Sequence, residues 1–343
     1  MSTLGTVRGG GDTRPHVLVI STRLDIATDA VVDRLNHCDA SVTRVNTEDL
    51  PFEATFTLAL HHNAPDMQIR HWSAERGFRD LDSITSCFYR RVRIPSRPEA
   101  MDPGVYNFCL RETRATLLGG LLGRSVPFMN DPKRVWASEV KPYQLEAARK
   151  FGFTIPDTIV SNDPEEIRRA FGAFNGRMIA KPVRSGYVEQ DGAPRAIFTS
   201  EIGSDDLKDD AALRAAPAIY QELIPKQCDV RVTVIGRHIF AAEIHSQGDP
   251  SARIDWRRTN DAALPHRVFE VPEHLRRALL ALMDHLGLAF GAIDLVRTPN
   301  DDFVFLEVNP SGQWLWLEEM LDLPITSAIC AWLAKPTQGS VEE

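Results

Sequence analysis

Cysteine is scarce and badly placed for any framework. The 343-residue chain holds five, Cys38, Cys87, Cys109, Cys228 and Cys330. The set is odd and scattered, with no Cys-x-x-Cys pair, so neither a disulfide scaffold nor a thiolate zinc site is indicated. A reducing cytoplasm is the expected compartment. No apolar run approaches the roughly 18 residues of a membrane span. Met1 to Arg14 lacks the apolar core of a secretion signal and reads as a disordered leader. Positive charge is in deficit: a formal net charge of −8 argues against a nucleic-acid backbone as the main partner. There is no dinucleotide fingerprint, no cofactor-lysine motif and no Gly-Lys-Ser/Thr phosphate loop, which leaves redox and carbon–carbon chemistry without support. No internal repeat is visible.

What the chain does have is a globular composition, 43% hydrophobic and 25% charged, long enough for two or three lobes. His16–Ile20, a helix around Asp29–Leu35 and Ser41–Val45 give strand–helix–strand order, a small α/β domain. Phe56–Leu60, Met67–Trp72 and Ile84–Arg90 read as strands, and about Gly104–Leu122 as a helix. Asn130-Asp-Pro132 reads as the turn that ends this domain. Beyond it, helices start at Pro142 and Asp163, strands at Met178–Lys181 and Ala218–Pro225. A hairpin turns at Gly236, a helix spans about Glu273–Leu286, and another about Thr326–Leu333.

The densest signal lies near the C-terminus. Two β-favouring runs ending in Asp294-Leu-Val and Phe-Leu-Glu307-Val-Asn309 flank a cluster of turn residues. With Pro299–Asp302 as the turn and Thr298 facing Phe303, counting back puts Asp294 opposite Glu307. Asn309 then shares their face, because side chains alternate along a strand. Two carboxylates facing each other repel and are costly to bury unpaired. A hard cation such as Mg²⁺ resolves the conflict; a polar face open to water is the alternative.

Lys181 sits in an apolar strand ahead of the loop Arg184–Gly192, which contains Gly186. An anion would justify that lysine, and the loop's backbone N–H groups suit phosphate. A snorkelling lysine beside a solvent loop is the other reading. Gln221-Glu222-Leu223 ends a strand in groups able to face an adenine edge, and Asp229 follows where ribose hydroxyls would need an acceptor. An ordinary strand-to-loop junction explains these last residues equally well.

Taken in order, Lys141, Lys181 with its glycine loop, Gln221-Glu222-Leu223, Asp229, Arg231, Asp294, Glu307 and Asn309 resemble the ATP-grasp superfamily. A narrower resemblance, to the microviridin-type peptide ligases or graspetide synthetases, is carried by Asn130-Asp-Pro, Lys141-Pro-Tyr-Gln-Leu-Glu-Ala-Ala, Gly152-Phe-Thr-Ile-Pro156 and Asn309-Pro-Ser-Gly-Gln-Trp314. Tyr89-Arg90-Arg91 and Arg111-Glu112 extend it into the N-terminal half. The resemblance implies an α+β ATP-grasp fold, two lobes enclosing ATP, preceded by an α/β pre-ATP-grasp domain. The expected divisions are 1–14 disordered, 15–130 N-terminal, 131–223 central lobe, 224–335 C-terminal lobe and 336–343 tail. It implies ATP and Mg²⁺, with two ions expected. Asp294, Glu307 and Asn309 match the metal ligands. Lys141 and Lys181 match the phosphate lysines, with Gly186 in the adjoining loop. Gln221, Glu222 and Leu223 match the adenine hinge, Asp229 the ribose acid, and Arg231 an arginine near phosphate or the activated carboxyl.

The implied activity is ligation. An Asp or Glu side chain of a ribosomal precursor peptide becomes an acyl phosphate, then an ester with Thr or Ser or an amide with Lys. Arg253, Arg257 and Arg258 resemble the family's substrate-side segment, with Arg257 the strongest candidate to grip a carboxylate. His245 lies near them as a candidate base, with a structural role as its alternative. Trp314 and Trp316 are core by default and cleft wall as the alternative. The implied partner is the precursor peptide, with a homodimer as the expected assembly. Two other activities stay open: a ligase adding free amino acids to a protein or small molecule, and a non-catalytic ATP- or peptide-binding module.

Overall fold

The computed structural model of the chain describes residues 14–64, 66–184, 186–190, 193–259 and 264–336. Residues 1–13 of the expected leader, 337–343 of the tail, and Ser185, Asp191 and Gly192 of the glycine loop lie outside the described residues. The fold is mixed α/β and divides into two compact units, residues 14–129 with 329–336, and residues 130–328.

The first unit begins with β1 (His16–Ser21), α1 (Ile26–His37), β2 (Ser41–Asn46), β3 (Ala54–Ala59), β4 (Gln68–Ser73), β5 (Gly77–Asp80) and β6 (Ser86–Tyr89). It continues with α2 (Pro103–Leu122) and β7 (Phe128–Met129). Strands β2-β1-β6-β7 form a parallel sheet. Every residue of β1 and β6 is buried, as their near-continuous apolar runs require of a parallel sheet covered on both faces. β3, β4 and β5 make a separate antiparallel sheet.

The second unit carries α3 (Pro132–Ser138), α4 (Lys141–Lys150), β8 (Thr158–Ser161), α5 (Pro164–Ala173), β9 (Met178–Lys181), β10 (Tyr187–Gln190), β11 (Ala193–Ala196) and β12 (Ser200–Ile202). Then come α6 (Asp210–Arg214), β13 (Ala218–Glu222), β14 (Cys228–Ile235), β15 (His238–Ile244), β16 (His266–Val268) and α7 (Glu273–Leu286). β17 (Phe290–Arg297), β18 (Phe303–Asn309) and α8 (Leu315–Leu321) complete the unit, and α9 (Ile325–Ala334) carries the chain from the second unit back into the first. Asn130-Asp-Pro132 does more than turn the chain. Asp131 accepts the Lys133 N–H at 2.7 Å and so caps α3, a helix the sequence reading missed.

Two antiparallel sheets dominate this unit. The smaller, β12-β9-β13-β8, packs Met178 and Tyr220 against Ile167 and Ala170 of α5. The larger runs β16-β15-β14-β17-β18. One of its faces buries Val230, Val232, Ile293, Leu295, Phe305 and Val308 against Leu275, Leu279, Leu282 and Leu286 of α7 and Leu145 and Ala148 of α4. The residues between these, on the opposite face, include Asp229, Arg231, Asp294 and Glu307.

The hairpin register differs from the counted one. Arg297, not Thr298, pairs with Phe303, and the turn closes through Thr298 N–H donating to Asp302 O at 2.9 Å. Between Leu295↔Phe305 and Asp294↔Glu307 the ladder shifts by one, leaving Leu306 as the extra residue of a bulge. The bulge cancels the one-residue error at the turn, so Asp294 does lie opposite Glu307. It also allows Phe305 and Val308, three residues apart, to enter the same core while Leu306 and Glu307 both line the opposite cleft.

Candidate active site

Two clefts adjoin on the polar face of the larger sheet, about 470 Å³ and 400 Å³ in empty volume. They share Lys181, Thr199, Ile254 and Leu306. The first is walled by Ile179, Gln221, Glu222, Leu223, Ile224 and Val296. The second contains Asp229, Asp255, Trp256, Arg257, Asp294 and Glu307. An apolar slot opening into a charged chamber can take a ligand that is flat at one end and anionic at the other.

The chamber's electrostatics are built on two carboxylates and four cations. Arg231, paired with Asp294 on the β14–β17 ladder, donates from Nη1 to Asp294 Oδ1 at 2.8 Å. Glu307 lies 3.5 Å from both Lys141 Nζ and Arg257 Nη1. Burial pushes the Glu307 carboxyl up, but the charges of Lys141, Arg257, Lys181 and Arg231 outweigh that and hold it below the usual carboxylate range. Burial lowers the Lys181 ammonium to about 8, with Glu307 opposing and Lys141 and Arg257 reinforcing the shift. The Arg257 guanidinium is desolvated, yet it is held above its ordinary value by hydrogen bonds to Asp255 and by the Glu307 charge. Asp255 grips it bidentately, at 2.8 Å from both Nε and Nη2, and accepts the Thr199 N–H at 3.2 Å.

Asp229 is already partnered. It accepts from Lys226 Nζ at 2.8 and 3.0 Å and from Ser246 Oγ at 2.5 Å. Burial raises its carboxyl despite these donors. Along the hinge, Leu223 N–H donates to Arg177 O at 2.9 Å, turning that group away from the slot. Successive peptide groups of extended chain point to opposite sides, and Ile224 N–H has no hydrogen-bond partner among the described residues. Ile224, the second residue of the apolar pair that follows Glu222, therefore offers the donor next to the Glu222 and Leu223 walls. Gln221 Nε2 is committed to Thr158 Oγ1 at 2.8 Å.

Other expected residues lie further out. Gly186 lines neither cleft; a Cβ there would come within 2.6 Å of Ile197 O, so its smallness serves the base of the β10–β11 hairpin. Arg258 Nη2 donates to Thr199 O at 2.7 Å and Ser200 Oγ at 2.6 Å. Arg253 is exposed and donates to Gln247 O at 3.2 Å. His245 Nε2 stands 3.4 Å from Glu243 Oε2 without making a hydrogen bond, outside both clefts. Trp314 is fully buried, its Nε1 donating to Thr326 Oγ1 at 3.1 Å and its ring edge-on to Phe290. Trp316 packs on Trp256 with centroids 5.2 Å apart.

Asp294, Glu307 and Asn309 suit a hard divalent cation by chemistry, with two carboxylates and an amide oxygen on neighbouring strands. Asn309 Oδ1 accepts the Ser311 N–H at 2.9 Å, which fixes the amide. Among the described residues no three His, Cys, Asp or Glu side chains gather as a metal cluster, so the amide is essential to such a donor set.

The sequence reading missed what holds this ribbon in place. β18 is an edge strand, and buried Gln144 of α4 closes it. Its Oε1 accepts Val308 N–H at 2.9 Å, and its Nε2 donates to Val308 O at 2.8 Å. Asn130 ties the two strand ends together. Its Oδ1 accepts the N–H groups of Ala289 and Phe290, both at 2.8 Å, and its Nδ2 donates to Phe290 O at 2.8 Å and Pro310 O at 3.0 Å. Gly312 leaves room for Arg231: a Cβ would overlap the Ala292 Cβ and stand 3.0 Å from Arg231 Nη2. Residues 130, 144 and 312 belong to the family-like motifs, so a signal existed, but only packing shows their use.

Comparison with known proteins agrees with this geometry. Residues 16–134 match the family model of the MvdD pre-ATP-grasp domain. The chain has the ATP-grasp fold. The macrocyclase MdnC of Microcystis aeruginosa MRC, solved with its precursor peptide MdnA, is 28% identical with a TM-score of 0.84; the match covers 94% of this chain and 100% of that one. A RiPP-associated ATP-grasp ligase of Chryseobacterium gregarium, solved with ADP and a leader and core peptide, is 26% identical with a TM-score of 0.86, covering 94% and 98%. PsnB, an ATP-grasp ligase solved with a variant precursor, Mg and ADP, is 22% identical with a TM-score of 0.73, covering 93% and 97%, a likeness of fold. No curated protein has significant sequence similarity to this chain. Among the described residues no helix is long and apolar enough to cross a membrane.

Proposed function

We propose that this chain is an ATP-dependent ligase acting on a ribosomally made precursor peptide. It activates Asp or Glu side chains as acyl phosphates and joins them to Thr or Ser hydroxyls as macrocyclic esters, or to Lys amines as amides. The observation that carries this reading is the convergence of Lys141, Lys181, Arg231 and Arg257 on Asp294 and Glu307 at the end of an apolar slot. The ligands of the Microcystis and Chryseobacterium relatives support it. The central lobe is taken as 131–223 and the C-terminal lobe as 224–335, in a cytoplasmic homodimer.

Ile224 N–H and the Glu222 and Leu223 backbone face the base, with Gln221 bracing the hinge. Asp229 accepts from the ribose once Lys226 yields. Lys141 and Lys181 hold phosphate oxygens, with Gly186 in the adjoining loop. Asp294, Glu307 and Asn309 would hold Mg²⁺, in our reading two ions, which when bound neutralise charge between the phosphates. Arg231 is placed to stabilise charge building up on the transferring group, and Arg257 to grip the peptide carboxylate. Arg258, Arg253 and His245 form the outer approach. Activation is needed because a free carboxylate repels nucleophiles and cannot expel oxide. The protein's part is positioning and charge neutralisation in a water-poor cleft.

Co-expression with a candidate Thr- and acid-rich precursor, followed by mass spectrometry, tests this. Loss of one water per ring is expected. A gain in mass would indicate addition of free amino acids instead. Asp294→Ala should abolish ATP turnover while leaving peptide binding nearly unchanged; retained turnover would overturn the site assignment.

A further inference from the structure

The carboxyl ends of the parallel strands in the first unit gather charged and apolar residues that line neither cleft described above. The strand order β2-β1-β6-β7 means the chain leaves β1 toward β2 on one side and returns to β6 on the other. The crevice beyond the carboxyl ends of β1 and β6 is the switch point at which open α/β sheets bind ligands. Three loops meet there and are joined by hydrogen bonds. Thr47 Oγ1 lies 2.8 Å from both the N and the O of Arg93, Arg44 Nη2 donates to Thr22 O at 2.6 Å, and Arg90 N–H donates to Ile20 O at 3.0 Å.

The floor of the crevice is charged and rigid. Arg90 is 1% exposed and its Nε donates to buried Asp25 at 2.7 Å. The Asp25 side chain, at the N-cap of α1, accepts from none of the helix N–H groups, so the positive end of that helix adds to the charge there. Immediately after Arg90 the backbone enters the left-handed region, with φ 48° at Arg91. That conformation costs a non-glycine residue on the order of 1 kcal/mol, and it separates a buried arginine from the one that follows. Neither the Arg91 nor the Arg93 guanidinium makes a side-chain hydrogen bond or close ion pair among the described residues, although the Arg91 charge helps lower the Asp25 carboxyl. Around them Leu24 is 82% exposed, Ile26 71% and Ile94 71%, with Val92 at 42%. Isolated exposed aliphatics mean little, but Leu24, Ile26 at the start of α1, Val92 and Ile94 all follow the carboxyl ends of β1 and β6 closely in sequence, as do Arg91 and Arg93 after β6.

We propose that this crevice docks an extended peptide segment in which carboxylates alternate with aliphatic side chains, an acidic stretch of the precursor itself. The arginines supply carboxylate recognition and the aliphatics supply the apolar contact. The inference rests on the proposed peptide substrate and assigns it a holding site in the N-terminal unit, on residues that line neither nucleotide cleft.

The test uses the full-length chain and a fluorescein-labelled synthetic peptide of Glu, Asp, Thr and Leu, read by fluorescence anisotropy. A second peptide carries Lys at every acidic position. The double variant Arg91→Glu/Arg93→Glu should weaken binding of the acidic peptide by about tenfold or more, equivalent to ~1.4 kcal/mol, and should gain affinity for the Lys peptide. Leu24→Asp, at a position too exposed to disturb folding, should weaken the acidic peptide alone. Unchanged affinity in these variants, equal loss for both peptides, or no binding to the unmodified chain would overturn the proposal. Peptide-stimulated ADP formation is measured in parallel. If stimulation persists while the arginine variants bind normally, the docking surface is wrong and the ligase reading stands. If the unmodified chain binds peptide but never forms ADP, the reverse holds.

Discussion

Lys181→Met should make the protein more stable and less able to bind nucleotide. Burial lowers the Lys181 ammonium from 10.5 to about 8. Each pH unit is worth about 1.4 kcal/mol, so holding this charge in the cleft without a bound anion would cost the folded state about 3 kcal/mol at neutral pH. Methionine fills a similar volume without the charge. The variant should therefore gain on the order of 2 to 3 kcal/mol in denaturant unfolding at pH 7. The pH dependence follows from the sign. Below pH 8 the lysine is protonated in both folded and unfolded chains, and the full cost is present. Between about 8 and 10.5 the folded chain has released the proton while the unfolded chain still binds it. Raising pH therefore stabilises the wild type, and its deficit against Lys181→Met should close across that window. Affinity should move the other way. A charge-assisted contact to phosphate contributes roughly 1.5 to 3 kcal/mol, so calorimetry with ADP should show about tenfold to more than a hundredfold weaker binding. A variant that is less stable than wild type at pH 7, or that binds ADP unchanged, would refute the argument that an anion is what this lysine awaits.

Gly312→Ala drives a Cβ into the buried Ala292 Cβ and against Arg231 Nη2, so turnover should fall at least tenfold and stability by about 1 to 3 kcal/mol, measured by phosphate release and denaturant unfolding. Gln144→Ala leaves the buried Val308 N–H and C=O without their partner, so stability should fall by roughly 1 to 3 kcal/mol, and hydrogen exchange should rise first in β18. Arg90→Met strands the buried Asp25 carboxylate and should cost about 3 to 5 kcal/mol in denaturant unfolding; a loss under 1 kcal/mol would mean that water reaches the pair.

The sequence by itself determined many of the principal elements. The apolar run of β1, the alternation of β14 and β17, and the helix Glu273–Leu286, whose bounds match α7, are local patterns of hydrophobicity and propensity, and local patterns can be read along the chain. The facing of Asp294 and Glu307 was also legible, although through a turn register off by one. What only the tertiary structure decided is how residues distant in sequence complete the ribbon. The bulge at Leu306 is set by the core's demand for both Phe305 and Val308, which no count along one strand contains. The amides of Asn130 and Gln144 reach strands 160 and 164 residues away. Which N–H faces the slot at the hinge depends on Arg177 claiming that of Leu223. Such choices depend on which partner is within reach once the sheets have packed, and a buried polar group must be matched wherever the fold happens to place it.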